Sequence, residues 1–183
     1  MLRITGGILK GKKIFINTRS ATRYTSAKVR EALFNILGSV NDKRILDLFT
    51  GSGSFAIEAL SRGAGHATCI ENDPHMVATL RRNLLQSSLN NACQVLYMDV
   101  RYAIPFLFKK SYKYDIIFAD PPYGKGLIVD TMKLLEENPV YHDKTIVILE
   151  YSKREDITVF NSFKLETITI KKYGDTVIRM LRA

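Results

Sequence analysis

Arg44-Ile45-Leu46-Asp47-Leu48-Phe49-Thr50-Gly51-Ser52-Gly53-Ser54-Phe55-Ala56 is the stretch on which the fold turns. Its first six residues form a short apolar run, the pattern of a strand covered on both faces. Gly51 and Gly53 then turn the chain, and Ala56, Ile57, Ala59 and Leu60 continue it as a helix. A strand that feeds a helix through a glycine turn is the opening unit of an open α/β sheet, whose ligands bind beyond the carboxyl ends of its strands. The loop fits G-x-G-x-x-G/A, and Glu71 ends the next strand, so a dinucleotide-binding reading is open. Asp47 weighs against it. A carboxylate at this strand end would compete with a pyrophosphate for the positive end of the helix. A cofactor with a cationic amino-acid end removes that conflict, and S-adenosylmethionine carries both an ammonium and a sulfonium. A purely structural carboxylate bonded to backbone amides is the alternative for Asp47.

The strand–helix alternation continues outward from this unit. Residues 67–71 read as a second strand, Asp73 caps a helix that begins at Pro74, and residues 93–98 read as a third strand. A short helix over 101–108 follows, then a fourth strand over 114–119, a helix over 127–137 and a fifth strand over 145–151. Residues 163–172 and 176–181 read as an antiparallel hairpin turned at Tyr173-Gly174-Asp175. Upstream, residues 4–15 suggest a hairpin or loop pair around Gly6-Gly7, and Ser26 caps a helix ended by Gly38. The expected fold is α/β: a doubly wound, mostly parallel seven-stranded sheet with an antiparallel C-terminal hairpin. A basic extension, residues 1–40, precedes a catalytic domain of residues 41–183.

The net charge of +9 is concentrated at one end. Residues 1–30 hold Arg3, Lys10, Lys12, Lys13, Arg19, Arg23, Lys28 and Arg30 with no acidic residue, whereas the other 19 basic residues face all 18 acidic ones. Such a one-sided block suits a polyanion, and Arg3, Lys10, Lys12, Lys13, Arg19 and Arg30 are the candidate RNA contacts. A solvated face without a partner is the bland alternative. His66, His75 and His142 are scattered, and no His/Cys cluster has metal-ligand spacing. Cys69 and Cys93 fall in apolar runs, as buried reduced thiols do. With no membrane-length apolar run and no signal-peptide pattern at Met1-Leu2-Arg3-Ile4, a cytoplasmic protein is expected.

Asp120-Pro121-Pro122-Tyr123 ends the fourth strand beside the expected crevice. The prolines fix φ and remove two backbone donors, so the segment presents acceptors. The Asp120 carboxylate and the Pro121 carbonyl suit the two N–H bonds of an exocyclic amino group, and Tyr123 suits stacking on a base. Methyl transfer to such a nitrogen needs positioning rather than a strong base. Asp99, at the third strand's end, suits either an adenine amino group or a helix cap, and Val100 suits packing against the adenine ring. Nothing matches a P-loop or a nucleophile elbow.

The glycine loop, with its Asp-x-Phe-x-Gly-x-Gly order, resembles the cofactor motif of class I methyltransferases. The whole chain resembles the bacterial 16S rRNA guanine-N2 methyltransferases. The likeness rests on Gly6-Gly7 with Lys10-Gly11-Lys12, Arg23-Tyr24-Thr25, Val29-Arg30-Glu31 with Leu33-Phe34-Asn35, Asp47 to Gly53, Glu58 to Ala64, Glu71, Asp120 to Tyr123, and Tyr173 to Thr176. The resemblance implies a cofactor site built from Asp47, Phe49, Gly51, Gly53, Glu71, Asn72, Asp99 and Val100, with Arg23 and Thr25 helping to close the cofactor and target site. It also implies a guanine target in 16S rRNA, within the small ribosomal subunit or an assembly intermediate; a monomer is expected. Tyr24 stands where the family pattern has proline, and Tyr123 where phenylalanine is common. Tyr173-Gly174-Asp175 reads first as a plain hairpin turn.

Three rivals share parts of this pattern. A DNA amino-methyltransferase would need a target-recognition segment, for which residues 1–40 leave little room. A glutamine-directed protein methyltransferase usually carries asparagine where Asp120 stands. An RNA-binding module with a dead site would not need Asp47, Glu71 and Asp120 together.

Overall fold

The computed structural model describes residues 1–16, 25–155 and 163–183. Arg19, Arg23 and Tyr24 therefore lie outside the described residues. Strands β1 (Leu2–Arg3) and β2 (Lys13–Ile14) form a small antiparallel pair, followed by α1 (Ala27–Leu37). Then come β3 (Arg44–Asp47), α2 (Ser54–Ser61), β4 (His66–Glu71), α3 (Pro74–Gln86) and β5 (Cys93–Tyr97). The chain continues through α4 (Val100–Lys109), β6 (Tyr114–Ala119), α5 (Leu127–Glu137), β7 (Tyr141–Ser152), β8 (Glu166–Tyr173) and β9 (Thr176–Arg182).

The seven-stranded sheet has the order β5-β4-β3-β6-β7-β9-β8. Its first five strands are parallel, while β9 runs antiparallel between β7 and β8. This is the expected α/β sheet with its C-terminal hairpin. The order reverses at β3, which pairs with β4 on one side and β6 on the other. Such a switch point opens a crevice at the carboxyl ends of the two strands. Asp47 ends β3 and Asp120 directly follows β6, so both belong to that crevice.

Alternate residues of each strand feed two apolar clusters, as strand geometry requires. Ile45, Cys69, Phe118 and Ile148 pack with residues of α1, α2 and α3. Leu46, Ile70, Ile117 and Val147 pack with α4 and α5. Phe55 of α2 stacks on Phe34 of α1 at 5.2 Å and on Phe118 of β6 at 4.1 Å, joining the N-terminal helix to the sheet.

The N-terminal segment is bound to the sheet by polar contacts as well. Ser61 at the end of α2 accepts from Ile8 N through its carbonyl and donates from its hydroxyl to the Gly6 carbonyl, at 2.8 and 2.7 Å. Buried Asn83 on α3 accepts from Phe15 N at 2.8 Å and donates to the carbonyls of Phe15 and Ser52, both at 2.9 Å. The glycine loop and the N-terminal segment thus share one anchoring side chain. Cys69 and Cys93 are buried free thiols. Among the described residues no helix is long and apolar enough to cross a membrane.

Candidate active site

Asp47 is 1% exposed, and neither of its carboxylate oxygens finds a hydrogen-bond partner in good geometry among the described residues. Burial pushes its pKa up to about 7, and the charge of Glu71 adds to the push. The nearby Ala56 and Phe49 amides and the Thr50 hydroxyl offset part of it. A buried carboxylate without partners is costly, so this one awaits a donor or a cation. The Ala56 and Phe49 amides approach the carboxylate and ease its charge without closing a hydrogen bond of good geometry.

Glu71 differs. Its carboxylate accepts from Gly51 N on one oxygen and from Asn72 N and Asp73 N on the other, each at 2.8 Å. It therefore fixes the glycine loop against the end of β4 while keeping acceptor capacity for a hydroxyl pair. Gly53 adopts φ +86, and a Cβ there would stand 2.4 Å from Leu80 of α3, so only glycine lets α2 start here. At Gly51 (φ +55) a Cβ would meet nothing within 4 Å: the loop borders open space. An orphaned carboxylate, an open backbone cradle and a second carboxylate fit the ammonium and ribose ends of S-adenosylmethionine.

Asp99 does cap α4, accepting from Arg101 N at 2.8 Å. The Arg101 guanidinium also grips it through two contacts, at 2.9 and 3.1 Å, and holds its pKa below the usual carboxylate range. Asn72 reaches it through Nδ2 at 3.4 Å, so these two predicted residues meet. Val100 is buried in the core beneath, and Phe49 is half-buried against the same cluster.

On the β6 side, Pro121 is buried, Pro122 exposed and Tyr123 half-buried. The Tyr123 hydroxyl lies 3.5 Å from Glu150 Oε1 and 3.4 Å from Thr176 Oγ1, which tethers the ring to β7 and β9. Thr25, a candidate for closing the cofactor and target site, has its hydroxyl oxygen 3.1 Å from Asp120 Oδ2 and 2.8 Å from Glu150 Oε2. Glu150, absent from the sequence-derived set, is 3% exposed. A signal for it existed, because a carboxylate at the end of the apolar run 145–151 needs a defined partner for the reason that Asp47 does.

The basic block divides. Arg3, Lys10 and Lys13 are exposed, and Lys12 is half-buried with its ammonium on the Gln86 carbonyl. Arg30 is no surface contact. It is fully buried and pairs with Glu58 at 3.0 Å, both side chains 0% exposed, while donating to the carbonyls of Thr25 and Arg3 at 2.9 and 2.5 Å. Glu58 lies on a helix whose eight residues are all buried, and there a carboxylate requires a cation. Arg62 supplies a second, at 2.9 Å.

Residues 2–182 match the family described as "Conserved hypothetical protein 95". Ribosomal RNA small subunit methyltransferase D of Escherichia coli (strain K12) is 39% identical over 150 residues, 81% of this chain and 74% of that one. The chain belongs to the ribosomal RNA small subunit methyltransferase D family. A putative rRNA methyltransferase, YlbH of Bacillus subtilis (strain 168), is 31% identical over 85% of both chains. Among solved structures, the putative methyltransferase yhhF of Escherichia coli superposes with a TM-score of 0.84 at 31% identity, covering 99% of this chain and 97% of that one. Like its family, the chain is a methyltransferase, and the crevice between β3 and β6 is its candidate active site.

Proposed function

We propose that this methyltransferase transfers a methyl group from S-adenosylmethionine to the exocyclic N2 of a guanine in 16S rRNA. The orphaned, buried Asp47 beside the glycine loop carries the cofactor half of this reading. The tetrapeptide Asp120–Tyr123 across the same crevice carries the target half. S-adenosylmethionine would supply an electrophilic methyl on its sulfonium, which the neutral target nitrogen takes up while the thioether sulfur leaves with the bonding pair. Asp47 holds the ammonium of its amino-acid end. Gly51 and Gly53 leave room at the helix start, and Glu71 takes the ribose hydroxyls. Phe49, Asn72, Asp99 and Val100 line the adenine side.

Asp120 and the Pro121 carbonyl accept the two N–H bonds of the target amino group, which turns its lone pair toward the methyl. The Tyr123 ring, tethered at its hydroxyl, fixes the plane of the base. After transfer, Asp120 or water takes the proton that the alkylated nitrogen releases. Arg3, Lys10, Lys12 and Lys13 contact the RNA backbone, with Arg19 of the same basic block, and Arg23 helps Thr25 close the cofactor and target site. The substrate is 16S rRNA within the small subunit or an assembly intermediate, met in the cytoplasm by a monomeric enzyme.

The test is transfer of tritiated methyl groups to small subunits from a strain lacking the enzyme, beside free 16S rRNA and DNA, with the labelled nucleoside identified. Label in N2-methylguanosine of small-subunit RNA supports the reading. Label in an adenine or cytosine amino group, or in DNA alone, contradicts it.

A further inference from the structure

Glu150 is a buried carboxylate that the reaction as described leaves without a task. It lies near the carboxyl end of β7, one residue past Leu149, which is in register with Ala119 of β6. Asp120 follows Ala119, so the two carboxylates lie side by side at the carboxyl end of neighbouring parallel strands. They also share Thr25, whose single hydroxyl proton serves only one carboxylate at a time although its oxygen is within about 3 Å of both. Tyr123, the last residue of the tetrapeptide, points its hydroxyl at the same Glu150.

Glu150 also lines a cleft of about 310 Å³, together with Ser26, Lys28, Val29, Tyr173 and Thr176. That volume is at the lower end of the range for small-molecule sites and is ample for one base. Lys28, in the first turn of α1, also lines the cleft and supplies a positive charge that suits the phosphate of a nucleotide. A carboxylate oxygen that carries no proton accepts hydrogen bonds. The two carboxylates, side by side, offer a pair of acceptors that matches a ligand edge with two adjacent donors.

Among the amino-bearing bases, guanine alone has such an edge. Its N2 amino group is flanked by the N1–H donor, whereas the amino groups of adenine and cytosine are flanked by ring nitrogens that carry lone pairs. Given a guanine-N2 target, as proposed above, we infer that Glu150 is the specificity-determining residue, accepting the N1–H of the target guanine while Asp120 accepts an N2–H. A carboxylate accepts roughly four hydrogen bonds, so one that already holds protein donors has capacity for a donor from the base. Facing adenine or cytosine, the same carboxylate meets a lone pair, and a buried polar group left opposed in this way discriminates strongly.

The test uses small subunits reconstituted with ligated 16S rRNA that carries either guanine or 2,6-diaminopurine at the mapped target. The analogue keeps the N2 amino group but has a lone pair at N1. The wild-type enzyme should favour guanine by about 100-fold or more in kcat/KM. Glu150→Gln, whose amide can donate to that lone pair, should lower the ratio at least tenfold. Because it is a ratio on one protein sample, the quantity does not depend on the folded fraction. If Glu150→Gln does not fold, Glu150→Asp, which withdraws the charge by one methylene, should lower the same ratio. An unchanged ratio in the folded variant overturns the inference. Failure of the wild-type enzyme to methylate guanine at all overturns instead the reading on which it rests.

Discussion

Glu71 presses on Asp47: the two carboxylates end neighbouring strands, and the charge of the one raises the pKa of the other. Three backbone amides satisfy Glu71. Asp47 has no comparable partner among the described residues. The loop between them is therefore preset for a cation and carries electrostatic strain without one.

That strain has a pH signature. A carboxyl whose pKa is higher in the folded chain than in the unfolded one binds its proton more tightly when folded. Ligand-free protein therefore loses stability from Asp47 as the pH rises from about 4 to about 7, and the penalty stays constant above. Asp47→Asn removes it, and the ligand-free variant should be more stable than the wild type at pH 8, by up to about 4 kcal/mol. Urea unfolding at pH 5 and pH 8 measures this. A variant less stable at pH 8 would show that Asp47 is held by partners after all.

The same group controls cofactor affinity in the opposite sense. Binding of an ammonium requires ionised Asp47, so affinity for S-adenosylhomocysteine, which keeps the ammonium, should weaken about tenfold from pH 8 to pH 6. Asp47→Asn should bind weakly and without this slope. Calorimetric titration across the range decides it, and a sloped variant would move the effect to another group.

Arg30 and the lysines nearby should separate in experiment. Arg30→Met leaves buried Glu58 with Arg62 and the Thr5 hydroxyl on its other oxygen and should cost about 3 kcal/mol in urea unfolding, partly recovered by adding Glu58→Gln. It should leave the salt dependence of RNA binding unchanged. A smaller salt slope with intact stability would return Arg30 to the RNA surface.

Replacing Lys10, Lys12 and Lys13 with glutamine should do the converse. The slope of log affinity against log salt should fall by about 2, since each lost phosphate contact removes roughly 0.7 to 0.9. Filter binding over a salt series measures it. An unaltered slope would make the basic block a solvated face.

The sheet was legible because each parallel strand is covered on both faces and so reads as one unbroken apolar run, as in residues 114–119. The caps at Ser26 and Asp73 were legible because their side chains act within one turn of their own position. Arg30 was not, because charge composition weighs every cation alike. Its helical position was the usable signal: with Leu33 and Phe34 it falls on the buried stripe of α1. Glu150 shares this lesson, since its partners Thr25 and Tyr123 are 125 and 27 residues away and only the fold brings them together.

The claim that the tetrapeptide holds the target nitrogen is tested most directly by Asp120→Ala, with cofactor affinity and methyl transfer to small subunits measured on the same preparation. The account predicts an affinity for S-adenosylmethionine within about threefold of wild type, less than 1 kcal/mol, and transfer reduced to background. Loss of cofactor binding, or transfer that persists at the wild-type rate, would contradict it.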